Sequence, residues 1–307
     1  MAVVAITDTD LGDGSIEREI LGDHTLRLLH AQHADDIREQ AQDADALLVQ
    51  WLPVDAATMD ALPRLRAIVR YGIGMDNLDL DAAAARSITV ANVPDYCLRE
   101  VTAHTVALVL AHARRLRPLT DSVRAGSWTV AEIDAPFAPA DDPVGVVGLG
   151  RIGLMVAHQL AALGHPVLAW DPYLSSWPDG VEQVSDVVEL AGRVHHLTLH
   201  APLTPESAAM IDARVLTALG PAGHLVNTSR GGLVNESELL ASLESGALGS
   251  ASLDVLTVEP PTGDVLGRLR SHPRVQMTPH AAYYSAASKI NLQRRAAQIM
   301  ADLLAAR

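Results

Sequence analysis

The sequence predicts an α/β protein made of two doubly wound domains, each built on a parallel sheet. Short apolar, β-rich runs alternate with helical patterns over the first part of the chain, and the same alternation returns after position 143. A loop rich in proline and aspartate, DAPFAPADDP at 134–143, separates the two series. Strands that alternate with helices form βαβ units and a parallel sheet. Two such series in 307 residues therefore predict two domains with a cleft between them.

The first series contains five predicted strands. Helix-forming segments lie between the strands and carry acidic residues near their starts, where the helix dipole favours negative charge. The strands are predicted at VVAIT (3–7), TLRLLH (25–30), ALLVQWL (46–52), AIVRYGI (67–73) and ITVAN (88–92).

A long helix, predicted from Arg99 to Leu116, follows the first series. The second series then gives six strands, and a final helix is predicted from about Ser285 to Ala306. The strands of the second series lie within VGVVGLG (144–150), PVLAWDP (166–172), VHHLTLHA (194–201), HLVNTS (224–229), SASLDV (250–255) and VQMTP (275–279).

Composition narrows the function classes. Hydrophobic residues make up 49% of the chain, but no apolar run reaches the ~18 residues of a membrane span. The start, MAVVAITDTD, is typical of a first strand and not of a signal peptide, so a cytoplasmic location is predicted. A single cysteine, Cys97, argues against a disulfide framework and a cysteine-built metal site. No metal centre is predicted.

The formal net charge of −14 argues against nucleic acid or an anionic membrane as a main partner. An anionic substrate has to be captured by local positive groups. There are 13 histidines, but most fall in helical or turn positions, such as His24, His33 and His158, and these are not predicted to do chemistry.

A dinucleotide fingerprint opens the second series. The apolar run Val144–Val147 leads into Gly148, Gly150 and Gly153, spaced as G-x-G-x-x-G at the end of a strand and the start of a helix. These glycines allow a tight turn, close approach of backbone N–H groups to a pyrophosphate, and close helix packing. Asp171 ends the next strand, where a carboxylate accepts the ribose hydroxyls and repels a 2′-phosphate. The pattern predicts binding of NAD(H).

Three chemically active residues follow later strands, where open α/β sheets place their ligand sites. Arg230 can hold a carboxylate through two parallel contacts. His280 can protonate a carbonyl oxygen, and Glu259 can hold the imidazole and favour its charged form. The set suffices to reduce a 2-keto acid. The alternative interpretations are a buried, satisfied histidine at 280 and a turn residue at 259.

At this point the sequence resembles the D-isomer-specific 2-hydroxyacid dehydrogenase family, from about Ala46 to the last residues given. The resemblance rests on eight blocks in order: YGIGMDNLDL (71–80), NVPDYCLREVTAHTVALVL (92–110), GVVGLGRIG (145–153), WDPYL (170–174), LHAPLTPES (199–207), NTSRGGLVNESEL (227–239), LDVLTVEPP (253–261) and TPHAAYYS (278–285).

The resemblance implies roles for individual residues. It makes Arg230 the carboxylate clamp, His280 the general acid/base and Glu259 its partner, and brings the backbone N–H groups of Ile73 and Gly74 to the substrate carboxylate. The positions that it implies for cofactor contact, besides the three glycines and Asp171, are Thr105, Arg151, Ile152, Pro202, Thr228 and Asp254.

The family also implies a fold and an assembly. A Rossmann cofactor domain of residues 98–282 is expected to be inserted into a flavodoxin-like substrate domain of residues 1–97 and 283–307. Dimerisation through the cofactor domain, giving a homodimer, is part of the same expectation.

Within the family, RYGIGMDN and HAAYYS look closest to the branch of the C-terminal-binding proteins and their bacterial relatives. That branch usually has tryptophan where this chain has Tyr283. Trp51, at the end of the third predicted strand, and Tyr283 are predicted to line the substrate pocket, with Arg70 as a second substrate cation. Packing between domains is the alternative for both aromatics, and a surface salt bridge is the alternative for Arg70.

The predicted function is NAD(H)-dependent interconversion of a small-molecule 2-keto acid and a D-2-hydroxy acid. Two alternatives stay open. One is an NAD(H)-binding sensor or corepressor-like module with vestigial catalysis, and the other is oxidation of phosphite or a phosphonate on the same scaffold.

Overall fold

The computed structural model describes residues 1–306. Its contacts divide the chain into two compact units. Unit 1 is Met1–Cys97 together with the segment from Tyr284 onward, and unit 2 is Leu98–Tyr283.

Unit 1 contains one five-stranded parallel sheet. Its strands are β1 Val3–Ile6, β2 Thr25–Leu28, β3 Ala46–Val49, β4 Ala67–Arg70 and β5 Thr89–Asn92. Its helices are α1 Ser15–Leu21, α2 Ala34–Gln40, α3 Ala56–Asp60, α4 Leu80–Ala85 and α12 Ala286–Ala305. The strand order is β2-β1-β3-β4-β5, which is the flavodoxin-like order. Strand β3 is wholly buried, as expected for a central strand covered on both faces.

Unit 2 contains a seven-stranded parallel sheet. Its strands are β6 Val144–Val147, β7 Val167–Trp170, β8 Val181–Gln183, β9 His196–Leu199, β10 His224–Asn227, β11 Ser250–Leu253 and β12 Val275–Met277. Its helices are α5 Leu98–Ala113, α6 Leu116–Arg124, α7 Arg151–Ala162, α8 Val187–Ala191, α9 Ala213–Leu219, α10 Glu236–Ser245 and α11 Asp264–Ser271. The order β12-β11-β10-β9-β6-β7-β8 is the doubly wound Rossmann order, with its switch point between β6 and β9.

The predicted fold class is confirmed, since both sheets are parallel and doubly wound. Two local predictions are wrong. The helix predicted from Arg99 to Leu116 ends at Ala113, because Arg115 takes a left-handed conformation with φ of 55° and a new helix begins at Leu116. The third strand ends at Val49, so Trp51 lies in the bend after the strand instead of at its end.

Within residues 1–306, no helix combines the length and the hydrophobicity that crossing a bilayer requires.

Candidate active site

A glycine-rich turn joins β6 to α7 in unit 2. Gly148 has a φ of 87°, a conformation that side chains disfavour, and a Cβ there would lie 2.8 Å from the carbonyl oxygen of His200. A Cβ on Gly153 would lie 2.0 Å from the carbonyl oxygen of Gly148, so α7 can approach the turn this closely only without one. A Cβ on Gly150 would meet no described atom within 4 Å. Open space therefore lies beside the first turn of α7, where N–H groups can receive an anion.

Asp171 follows β7 directly, on the strand that pairs with β6. Its Oδ2 accepts a hydrogen bond of 2.8 Å from the backbone N–H of Leu149, and its Oδ1 accepts one of 2.9 Å from that of Tyr173. The carboxylate is thus fixed to the glycine-rich turn. This is the position from which an acid reaches the ribose of a dinucleotide.

The other positions predicted for cofactor contact lie in the same unit. Thr105, on α5, and Thr228, just after β10, are both buried, and their hydroxyl oxygens are 2.8 Å apart. Pro202 lies in the loop after β9 and accepts a 2.7 Å hydrogen bond from Ser207 through its carbonyl oxygen. Arg151 and Ile152 are the first two residues of α7, and Arg151 is exposed.

Arg230 lies three residues after β10, in a loop that side-chain hydrogen bonds hold in place. The side chain of Asn227 donates a 2.8 Å hydrogen bond to the carbonyl oxygen of Arg230 and accepts one of 3.0 Å from the backbone N–H of Ser229. Ser229 donates a 2.8 Å hydrogen bond to the carbonyl oxygen of Ala201 in the neighbouring loop. The backbone of Arg230 is therefore held at the carboxyl end of the sheet.

His280 and Glu259 form an ion pair in which Nδ1 of the histidine lies 2.7 Å from Oε2 of the glutamate. Burial alone would raise the pKa of Glu259. The hydrogen bond from His280, the charge of that ring, the backbone N–H of Leu256 and the charge of Arg230 together lower this pKa below its usual 4.5. The glutamate is therefore ionised at neutral pH, and its carboxylate fixes Nδ1 of the ring as a donor.

Asp254 holds the loop that carries His280. Its buried carboxylate accepts hydrogen bonds from the hydroxyl of Thr278 and from the backbone N–H groups of Ala281 and Ala282, at 2.8 and 2.9 Å for the two backbone groups. Its carbonyl oxygen accepts a further bond of 2.8 Å from the N–H of His280 itself. The backbone of His280 has a φ of 49°, and these four bonds fix that left-handed conformation. The predicted contact of Asp254 with the cofactor stays a prediction.

Unit 1 carries the remaining predicted substrate residues. Arg70 ends β4, and its guanidinium carbon lies 5.9 Å from the ring centre of Trp51, within the range of a cation–π contact. A Cβ on Gly72 would lie 1.4 Å from Nη1 of Arg70, so the guanidinium occupies the space that a side chain at position 72 would fill. The loop continues through Ile73, whose carbonyl oxygen accepts a 2.5 Å hydrogen bond from the side chain of Asn92. Gly74 follows in this same loop, partly buried.

Tyr283 belongs to unit 2 and packs edge-on against His280, with ring centres 6.3 Å apart. It is only 9% exposed, while Trp51 in unit 1 is 40% exposed. Unit 2 therefore brings Glu259, His280 and Tyr283 together, with Arg230 near enough for its charge to act on Glu259. The same unit contains the glycine-rich turn. Unit 1 brings together Trp51, Arg70 and the loop of Ile73 and Gly74.

The family sequence model for the NAD binding domain of D-isomer specific 2-hydroxyacid dehydrogenases matches residues 106–282, more than half of the chain. The chain belongs to this family. Glycerate dehydrogenase of Methylorubrum extorquens is 34% identical over 275 residues, which cover 88% of this chain and 83% of that protein.

D-3-phosphoglycerate dehydrogenase of Mycobacterium tuberculosis (strain ATCC 25618 / H37Rv) is 37% identical over 265 residues, covering 85% of this chain and 49% of that protein. The chain thus spans about half the length of the phosphoglycerate dehydrogenases that it matches. Among solved structures, the NADPH-dependent glyoxylate/hydroxypyruvate reductase of Sinorhizobium meliloti, in complex with NADP and malonate, is 28% identical with a TM-score of 0.83, covering 96% of this chain and 91% of that chain. The branch of the C-terminal-binding proteins stays a prediction.

The cradle fits the dinucleotide that the family binds. Gly148 and Gly153 close the turn, the space beside Gly150 is open, and Asp171 is fixed to the turn by a hydrogen bond. These features leave the first N–H groups of α7 for a pyrophosphate and the Asp171 carboxylate for a ribose. The predicted cofactor, NAD(H), is therefore supported by both the family and the local structure.

Proposed function

We propose that the protein interconverts a 2-keto acid and a D-2-hydroxy acid with NAD(H). The observation that carries this proposal is the 2.7 Å pair of His280 and Glu259, in the same unit as Arg230 and a dinucleotide cradle. All of these residues follow the carboxyl ends of strands in one parallel sheet, where such sheets place their ligands.

Each of these residues has a distinct role in the proposed reduction. Arg230 binds the substrate carboxylate through two parallel N–H···O contacts and so orients the neighbouring carbonyl group. Glu259 accepts a hydrogen bond from Nδ1–H of His280 and stabilises the imidazolium, whose Nε2 proton passes to the carbonyl oxygen as the alcohol forms. The nicotinamide, when bound, supplies the hydride. After the transfer His280 is neutral and takes up a proton from water before the next cycle.

Unit 2 serves in this proposal as the cofactor domain and unit 1 as the substrate domain. In unit 1, the backbone N–H groups of Ile73 and Gly74 add to the binding of the carboxylate, and the guanidinium of Arg70 is a second cation for the substrate. This second positive charge matters in a chain of net charge −14, because the overall field repels an anionic substrate.

We further propose a substrate whose side chain is larger than methyl. Trp51 in unit 1 and Tyr283 in unit 2 offer large apolar surfaces with few rotatable bonds to order. The relatives named for glycerate and 3-phosphoglycerate also favour a polar group beyond the reacting carbon. The cation of Arg70 suits such a group.

The test is NADH oxidation by the purified protein with a panel of 2-keto acids. The panel contains glyoxylate, pyruvate, hydroxypyruvate, branched and aromatic 2-keto acids, and phosphonopyruvate. D-glycerate, D-3-phosphoglycerate and phosphite are tested with NAD⁺ in the oxidative direction. Saturable turnover on at least one member is expected. NADH binding without turnover on any member would favour the sensor interpretation, and turnover on phosphite alone would favour the phosphite alternative.

A homodimer in the cytoplasm completes the proposal. The segment after α5 exposes several apolar side chains, with Trp128 at 89%, Val130 at 70% and Leu116 at 53% exposure, and such exposure favours an interface. Light scattering on the purified chain tests the dimer, since a monomeric mass at micromolar concentration would contradict it.

A further inference from the structure

Three histidines meet at the amino ends of the strands in unit 2. His196 and His224 are the first residues of β9 and β10 and lie opposite each other in the sheet register. His112 reaches them from the last turn of α5. The candidate catalytic residues follow the carboxyl ends of strands in the same sheet, so this cluster belongs to the other end of the sheet.

The ring nitrogens are spaced for metal binding. Nδ1 of His196 and Nδ1 of His224 are 3.2 Å apart. Two nitrogens bound to one tetrahedral Zn²⁺ at ~2.0–2.1 Å lie about 3.3 Å apart, so this pair needs little movement. One nitrogen of each of the three rings lies within 4.8 Å of the others. The rings of His112 and His224 stack with their centres 3.9 Å apart, so the partly exposed ring of His112 has to rotate out of this stack to turn a lone pair towards a shared ion.

The outward nitrogen of each ring already has an oxygen partner. Nε2 of His196 faces Oδ2 of the Asp142 carboxylate at 3.2 Å. The hydroxyl oxygens of Ser252 and Ser250 lie 2.8 Å from Nε2 of His224 and 2.7 Å from Nε2 of His112. Metal-binding histidines are normally held in this way, by a carboxylate or another oxygen on the nitrogen that does not face the metal.

This arrangement allows each ring to turn a lone pair inward, since a serine hydroxyl can accept from Nε2 of His224 and of His112. A carboxylate only accepts hydrogen bonds, so His196 keeps its proton on Nε2 and turns a lone pair towards His224. Nδ1 of His112 is buried and has no hydrogen-bond partner among residues 1–306. A metal-free network in which His224 donates to His196 would satisfy that pair but not His112. A cation between the rings would satisfy all three nitrogens.

An open cavity of about 630 Å³ gives access to the cluster and room for a fourth ligand from solvent. His112, His224, Ser250 and Ser252 are part of its lining.

Nearby charges oppose and support a bound cation. Nη1 of Arg115, which can only donate, lies 3.4 Å from Nε2 of His112. This contact favours a proton on Nδ1 of His112, and the charge of the guanidinium also disfavours the cation. Arg117 and Arg274 also line the cavity but donate to backbone carbonyl oxygens. The carboxylate of Asp142, and an anionic fourth ligand such as hydroxide, would offset the charge of Arg115.

We infer that His112, His196 and His224 form a binding site for one divalent first-row transition metal ion, with a fourth ligand from solvent. Neutral imidazole is a preferred ligand of Zn²⁺, Cu²⁺ and Ni²⁺. The ion would tie the end of α5 to the first residues of two strands, next to Arg115, where the chain leaves α5 and begins α6. Its role would be structural, at a distance from the reaction proposed above.

The test uses the full chain after removal of metal with a chelator. Titration with Zn²⁺ is expected to show one ion per chain and to raise the melting temperature by several degrees, because only the folded state presents the three rings together. Co²⁺ is expected to give the intense visible bands of a four-coordinate site. Absence of stoichiometric binding, or a six-coordinate Co²⁺ spectrum, would overturn the inference.

Two variants and one control locate the site. His112→Ala is expected to lower Zn²⁺ affinity by at least about tenfold, and Ser250→Ala by a smaller factor, since it removes only the outward support of the ring. His158→Ala, on the exposed side of α7 in the same unit, should leave the affinity unchanged. Equal affinity in His112→Ala and the parent chain would place bound metal elsewhere. If His112→Ala does not fold, Ser250→Ala and the Co²⁺ spectrum of the parent chain decide.

Discussion

The two ends of the seven-stranded sheet hold histidines in opposite settings. At the carboxyl end, His280 pairs with the ionised carboxylate of Glu259 in a partly exposed loop. At the amino end, burial, with the charges of His196 and Arg115, lowers the pKa of His112 to about 3. Burial is the main reason that the pKa of His224 lies well below its usual 6.5, and the charges of His112 and His196 lower it further.

The comparison separates proton transfer from ligand binding. A ring that must exchange a proton needs solvent access and a charged partner, which His280 has. A ring that stays neutral through the physiological range cannot serve as an acid there, but it keeps the lone pair that a metal requires. The same residue type is therefore suited to different chemistry at the two ends of the same sheet.

The largest expected effect is at the carboxyl end. His280→Gln keeps a side chain able to donate to Glu259 but removes the exchangeable proton. It should lower kcat for keto-acid reduction by about 10²–10⁴-fold, the usual contribution of a general acid. NADH binding, followed by fluorescence, and the melting temperature should not change. His158→Gln is the matched control, and retained turnover in His280→Gln would remove the histidine from the reaction.

Arg230→Lys should lower kcat/KM by at least about tenfold, with KM raised and kcat lowered. Lysine keeps the charge but cannot make the planar two-point contact with a carboxylate. Arg268→Lys serves as control, because Arg268 is a surface residue of the same unit paired with Glu244 and Asp264. Steady-state kinetics that are the same for both variants would show that Arg230 does not bind substrate.

Glu259→Gln should move the pH profile of keto-acid reduction towards lower pH. The ionised carboxylate of Glu259 stabilises the imidazolium form of His280, and a neutral amide does not. The reduction therefore loses its proton donor at a lower pH in the variant. An unmoved profile would show that Glu259 only caps a turn.

The same glutamate affects stability. Because its pKa is lowered from 4.5 on folding, the stability that it contributes is present above about pH 4.5 and is lost as the pH falls through the folded value. Glu259→Gln should show less loss of stability in acid, which unfolding in urea across pH 3–6 measures.

Cofactor choice gives a smaller effect. NAD(H) should be preferred over NADP(H) by at least about tenfold in kcat/KM, or ~1.4 kcal/mol, because the Asp171 carboxylate repels a 2′-phosphate. Asp171→Asn should narrow the ratio. Equal efficiency of the two cofactors with the parent chain would contradict the assignment.

The smallest expected change is in substrate ranking. Tyr283→Ala should lose the preference for side chains larger than methyl, because it removes the aromatic wall beside His280. The ratio of kcat/KM for a larger 2-keto acid to that for pyruvate measures this. A parent chain that prefers pyruvate or glyoxylate, together with an unchanged ranking in the variant, would show that the ring only packs.

Local patterns predicted most of the fold and the motifs at the carboxyl end of the sheet. The glycine spacing after Val147 and the acid at 171 are adjacent to strands, so periodicity alone places them. The bond network of Asp254 was not predicted, because its partners lie more than 20 residues further along the chain. The break at Arg115 was missed because Arg114 and Arg115 favour helices locally.

The histidine cluster had no detectable sequence signal. His112, His196 and His224 come from one helix and two strands, and no short spacing motif joins them. His196 and His224 meet only because β9 and β10 pair in this register. The sequence contains 13 histidines, but nothing in it groups these three, and it predicts no metal centre.

Gly72 constrains how this protein can evolve. A Cβ at position 72 would lie 1.4 Å from Nη1 of Arg70, so replacing the glycine displaces the guanidinium from its place beside Trp51. Positions 70 and 72 are therefore linked, since a substitution at 72 also moves the guanidinium of Arg70. A substitution at position 70 does not disturb Gly72 in the same way. A lineage that acquires a new substrate is therefore expected to change position 70 first and keep the glycine.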